Sequence, residues 1–140
     1  MTRKNILLVD DEAINALDTA RRLTDAGYVV ATVCSGEQAV AFVQDENPVD
    51  LVLMDIDLGP GIDGTEAARE ILALRDVPVV FLTSHAEREL VERTRRITRY
   101  GYILKSSGDF VLTSSVEMAF ELFEAYHQLR HREAYLCAIL

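Results

Sequence analysis

Asp50–Leu58 reads DLVLMDIDL, an apolar run that halts at Asp55 and is followed two residues on by Asp57. Leu51–Met54 carries no polar residue in alternation. Short unbroken runs of Val, Ile and Leu are how strands read when both faces are covered, as in a parallel sheet between layers of helices. Outward from this stretch the same pattern recurs at Asn5–Val9, Val29–Val33, Val79–Leu82 and Tyr102–Leu104.

Helical signals fill the gaps. Ala13, Leu17, Ala20 and Leu23 form one stripe, with Gly27 beyond it as a C′ residue. Ser35 and Gln38 have the spacing of a capping box ahead of Ala39, Val40 and Val43. Ala67, Ala68, Ile71 and Leu72 mark a third helix, entered through the turn Gly59–Gly64. A fourth, at roughly 86–97, is rich in Arg, and a fifth begins near Asp109 with neither Pro nor Gly after Phe110. The pattern is (βα)5. Right-handed crossovers predict an α/β, doubly wound three-layer sandwich. Ligands of such sheets bind outside the carboxyl ends of the strands.

Those ends carry chemistry. The first strand ends in Asp10-Asp11, the third in Asp55, the fourth in Thr83-Ser84 and the fifth in Lys105. Each has an ordinary explanation: a helix cap, a turn, a strand former, a solvated charge. None of these explains why carboxylates, a hydroxyl and an ammonium should gather at one edge. Carboxylates held close repel one another, and a divalent cation is the natural neutraliser. Mg2+ suits oxygen donors and keeps sites for water and phosphate. A carboxylate beside it can attack a phosphoryl group, with Lys105 and Thr83 placed to stabilise the transferring oxygens.

ILLVDDE (Ile6–Glu12), DLVLMDIDL, DG (Asp63-Gly64), VPVVFLTSHAE (Val77–Glu87) and GYILK (Gly101–Lys105) together resemble the response-regulator receiver domain. The resemblance implies a flavodoxin/CheY-like parallel sheet of order 2-1-3-4-5, and the uninterrupted run after Phe110 extends the last helix beyond what such a domain needs. It implies that Asp55 is the phosphoacceptor and that Asp10, Asp11, Asp55 and the backbone carbonyl of Asp57 hold Mg2+. Thr83 would be the switch hydroxyl, Lys105 the phosphoryl's cationic partner and Tyr102 the switch aromatic. Asp57 and His85 would tune the lifetime of the aspartyl-phosphate. The family's usual Pro after the lysine is Ser106 here, its usual Gly-Ala before the last strand is Thr98-Arg99, and the loop after Asp55 is one residue longer.

Fourteen Lys+Arg against 23 Asp+Glu give a net charge of −9, which disfavours general binding to nucleic acid or anionic lipid. No apolar run suits a membrane span. Cys34 and Cys137 lack metal spacing and read as free thiols of a reducing, cytoplasmic compartment. The expected organisation is a receiver at 1–123 and a helical extension at 124–140. Ala119, Leu122, Tyr126, Leu129, Glu133, Leu136 and Leu140 follow a 3-4 spacing, interrupted by the charge of Glu133, and Ala119, Leu122, Tyr126, Leu129 and Leu136 suggest a homodimer seam. The last residues resemble the lead-in to a PAS domain, which points to a downstream PAS or kinase domain in a longer chain.

The expected function is acceptance of a phosphoryl group from a histidine kinase or phosphotransfer protein, with no turnover of an external metabolite. A haloacid-dehalogenase-like phosphohydrolase shares the ingredients, but its DxD lies on the first strand. A degenerate receiver acting only in dimerisation or binding would not need the acidic group intact.

Overall fold

The structure, a computed structural model, describes residues 3–59, 61–84, 88–98 and 100–139, with the side chains of 88–90 and 130–139 outside the description. The elements run β1 (Asn5–Val9), α1 (Ala13–Asp25), β2 (Val29–Val33), α2 (Gly36–Gln44), β3 (Leu51–Asp55), α3 (Gly64–Leu74), β4 (Val79–Thr83), α4 (Arg88–Ile97), β5 (Tyr102–Leu104) and α5 (Asp109–Ile139). The strands form one parallel sheet in the order β2-β1-β3-β4-β5. β3 and β4 each run one residue further than the apolar pattern, so Asp55 and Thr83 are the last residues of their strands.

Alternate residues of each strand serve opposite cores, which is why the runs show no polar alternation. Leu7, Val9, Val52, Met54 and Phe81 face α2 and α3, where Ala39, Val43, Ala67, Ala68 and Ile71 pack. Ile6, Leu8, Leu51, Leu53 and Leu82 face α1 and α5, where Ala16, Leu23, Leu112, Val116 and Ala119 pack.

The stripe expected on α1 is corrected. Leu17 is 72 % exposed and Ala13 is exposed too, whereas Ala16 and Leu23 are buried and Ala20 packs beside them. The packing face uses small residues at its first two positions, which let the helix lie close to the sheet. Gly27 follows the helix with φ +103°, as a C′ glycine does. At α2 the Ser35 side chain accepts the Gln38 N–H at 3.1 Å, but Gln38 reaches back to the N–H of Cys34 at 2.8 Å instead of that of Ser35.

α5 is pinned along its first half by ring contacts. Tyr28 stacks on Phe120 at 5.9 Å, and Tyr100 meets Phe123 and Tyr126, each at 6.3 Å. His127 is exposed and stacks on Phe123 at 6.2 Å. The expected seam loses its first member, because Ala119 is buried in the domain's own core. Leu122 and Leu129 are exposed, and the side chain of Leu136 lies outside the described residues. Among the described residues no helix is long and apolar enough to cross a membrane.

Candidate functional site

The ends of β1, β3, β4 and β5 converge on one acidic pocket. Asp10 follows β1 and is fixed by its backbone N–H donating to Val33 O at 3.1 Å. It is 2 % exposed, and its Oδ1 accepts the N–H of Glu12 at 3.0 Å. Asp11 next to it is exposed. Asp55 is 2 % exposed; its Oδ1 accepts the N–H of Asp57 at 3.1 Å and its Oδ2 accepts from Lys105 Nζ at 2.7 Å. Lys105 Nζ also lies 3.7 Å from Asp10 Oδ2. Oxygens of Asp10, Asp11 and Asp55 lie within 4.8 Å of one another.

Burial pushes the Asp55 carboxyl up to about 6, with the Asp10 charge adding to the rise; the Lys105 hydrogen bond and charge oppose it. Burial would lower Lys105, but the hydrogen bond and charge of Asp55, then Asp10 and Glu12, outweigh it and hold its pKa above the usual value. Among the described residues, three acidic side chains thus face one lysine. The surplus negative charge and all-oxygen donor set match a hard divalent cation.

The backbone around Asp55 explains the DG motif. A Cβ on Gly64 would stand 2.1 Å from the carbonyl oxygen of Asp55, so the start of α3 can approach the strand end only as glycine. Asp63 caps α3, accepting the Glu66 N–H at 2.9 Å. The longer loop after Asp55 turns at Gly59 (φ +63°) and Gly61 (φ +103°) and is tied to α2 where Glu37 accepts the Ile62 N–H at 3.0 Å.

Thr83 is 2 % exposed, and its carbonyl accepts the Lys105 N–H at 2.8 Å, which joins the two strand ends. Tyr102 is 37 % exposed and borders a cavity between α4 and α5. The side chain of Asp57 is exposed. His85 lies outside the described residues. Thr98 in the place of the family's glycine is buried, donating its hydroxyl to Val79 O and accepting the Tyr100 N–H at 3.2 Å.

Sequence reasoning found the pocket and missed its braces. Arg93 of α4 donates to Thr65 Oγ1 at 2.9 Å and lies 3.4 Å from Asp63 Oδ2, linking α4 to the start of α3. Arg22 of α1 reaches the turn after Lys105. The Asp63–Glu66 spacing is a legible cap signal; the arginine contacts leave none.

The family model described as "Response regulator receiver domain" matches residues 6–117. The curated transcriptional regulatory protein PdtaR of Mycobacterium tuberculosis is 36% identical over 121 residues, covering 86% of this chain and 58% of the relative. The chain thus spans little more than half the length of that relative. Among solved structures, the N-terminal domain of a response regulator/sensory box/GGDEF 3-domain protein from Carboxydothermus hydrogenoformans is 45% identical with a TM-score of 0.82, covering 88% of this chain and 98% of that one. The signal receiver domain of a modulated diguanylate cyclase from Desulfovibrio desulfuricans G20 is 31% identical with a TM-score of 0.80, covering 89% of this chain and 99% of that one.

Proposed function

The chain belongs to the response regulator receiver domain family, and from that premise we propose that Asp55 is its phosphoacceptor. The observation that carries this is the buried Asp55 carboxylate, held by Lys105 at 2.7 Å and grouped with Asp10 and Asp11. The donor is a histidine kinase or phosphotransfer protein. An oxygen of Asp55 attacks the phosphorus of the donor's phosphohistidine; the P–N bond breaks and its electron pair returns to the imidazole. The product is an acyl phosphate on Asp55.

Asp10, Asp11, Asp55 and the carbonyl of Asp57 would hold Mg2+. When bound, that cation neutralises charge on the transferring phosphoryl group. Asp10 is oriented for the task by the Glu12 N–H. Lys105 supplies a fixed positive charge, and the N–H of Asp57 keeps the acceptor carboxylate in place. The chain assists its own phosphorylation and dephosphorylation and turns over no separate metabolite. Asp57 and His85 tune how long the acyl phosphate lasts.

Phosphorylation adds roughly 1.5–2 negative charges and new acceptor oxygens. The Thr83 hydroxyl meets phosphoryl oxygens in that state alone, which biases the loop after β4. Tyr102 turns inward in response and changes the face built by α4, β5 and α5. The extension of α5 carries this state to a following PAS or kinase domain, and Leu122, Tyr126, Leu129 and Leu136 are the candidates for a homodimer contact. Beryllium fluoride with Mg2+ tests the switch. Mg2+ alone should shift amides around Asp55, whereas those of Thr83 and Tyr102 should shift only when both are present, and not in Asp55→Asn. Spectra indifferent to the pair would reject the reading.

A further inference from the structure

Lys105 reaches Asp55 from a turn with little stiffness of its own. Ser106, Ser107 and Gly108 follow it, and none fixes φ as a proline ring does. One side of the turn is tied to β4 by the Lys105 N–H on Thr83 O at 2.8 Å, and the turn closes with the Ser107 N–H on Leu104 O at 3.0 Å. The other side is tied to α1. Arg22, in the last turn of that helix, donates from Nη2 to Ser107 O at 3.2 Å and from Nε to Asp109 Oδ1 at the start of α5. Its side chain is 17 % exposed, with Nη1 3.8 Å from Asp18 Oδ2. Arg22, Lys105 and Asp10 border the same cavity of about 310 Å³.

We propose that Arg22 is a positioning residue for the phosphorylation site: by clamping the turn at Ser107 and Asp109 it holds the Lys105 ammonium against Asp55. The role given to Lys105 rests on the Asp55 reading above. A planar guanidinium suits the clamp because its fork serves two acceptors at once, which an ammonium on a flexible stem does less well. The clamp also joins α1 and α5, the two helices on one face of the sheet.

The test compares the full chain with Arg22→Ala, Lys105→Met and the double variant. It reads the Mg2+ dissociation constant by amide-shift titration and the rate of phosphoryl uptake from acetyl phosphate, with the melting temperature as a check on folding. An ammonium held on Asp55 repels a divalent cation but assists the transferring phosphoryl, so loosening it moves the two readouts in opposite directions. Arg22→Ala should bind Mg2+ about two- to five-fold more tightly and take up label about five- to ten-fold more slowly. On the Lys105→Met background, Arg22→Ala should change the Mg2+ constant by less than about 1.5-fold, because the two residues act as one unit.

Asp109→Ala, at a position 78% exposed, gives the same comparison should Arg22→Ala fail to fold. An unchanged value in either readout, weaker Mg2+ binding, or an equal Mg2+ factor with and without Lys105 overturns the proposal. A wild-type chain that binds Mg2+ and takes no label defeats the Asp55 reading instead; the Mg2+ comparison alone then decides whether Arg22 holds Lys105.

Discussion

Burial drives the Asp55 carboxyl up to about 6, against the pull of Lys105, and that has consequences on two scales of pH. The folded value lies above the ordinary 3.8, so ionising Asp55 costs the folded state stability. That cost is absent below the unfolded pKa and grows as pH rises from there through about 6. Asp63 has the opposite sign: its pKa is lowered, despite burial that would raise it, by the Thr65 hydroxyl, the Glu66 N–H and Arg93. Its contribution is present above the unfolded value and is lost as pH falls through the lower folded one. For function, protons and Mg2+ compete for Asp55. The Mg2+ dissociation constant should rise about tenfold between about pH 7.5 and pH 5, from a carboxyl titrating near 6. Amide-shift titrations at the two pH values check it; a constant that stays flat would show that Asp55 does not titrate near 6 or is not a ligand.

At the scale of elements, the strands were legible because β3 and β4 are buried along their whole length and leave no polar alternation to confuse the reading. The phase of α1 was not. Ala13, Leu17 and Ala20 offer a helical stripe as regular as Ala16, Ala20 and Leu23, and only the sheet's demand for a close approach selects the second. Leu17→Lys should therefore change stability by less than about 0.5 kcal/mol. Leu23→Ala, at a fully buried position, should cost about 2–5 kcal/mol. Denaturant midpoints measured side by side separate the two faces. Equal losses would return Leu17 to the core. The site residues Asp10, Asp55, Thr83 and Lys105 were legible because each sits where an apolar run stops. Arg22 was not, since its partner Asp109 is 87 residues away and no local pattern connects them.

For the whole molecule, the question is where the domain's own packing releases α5. The edge-to-face contact of Tyr126 on Tyr100 and the stacking of His127 on Phe123 lie beyond the expected boundary at 123. A chain ending at 123 should lose about 1 kcal/mol relative to one ending at 128, the scale of an aromatic pair. Thermal unfolding of the two truncations measures it, and equal stability would show that the rings past 123 do not hold the helix. The seam reading is narrowed at the same scale, because Ala119 is committed to the core while Leu122 and Leu129 stay exposed.

The most direct measurement is phosphoryl uptake from acetyl phosphate with Mg2+, followed by intact mass and by site mapping after borohydride reduction. The account predicts a single added phosphoryl group, located on Asp55, absent without Mg2+ and absent in Asp55→Asn. Label on another residue, or undiminished label in Asp55→Asn, would contradict it.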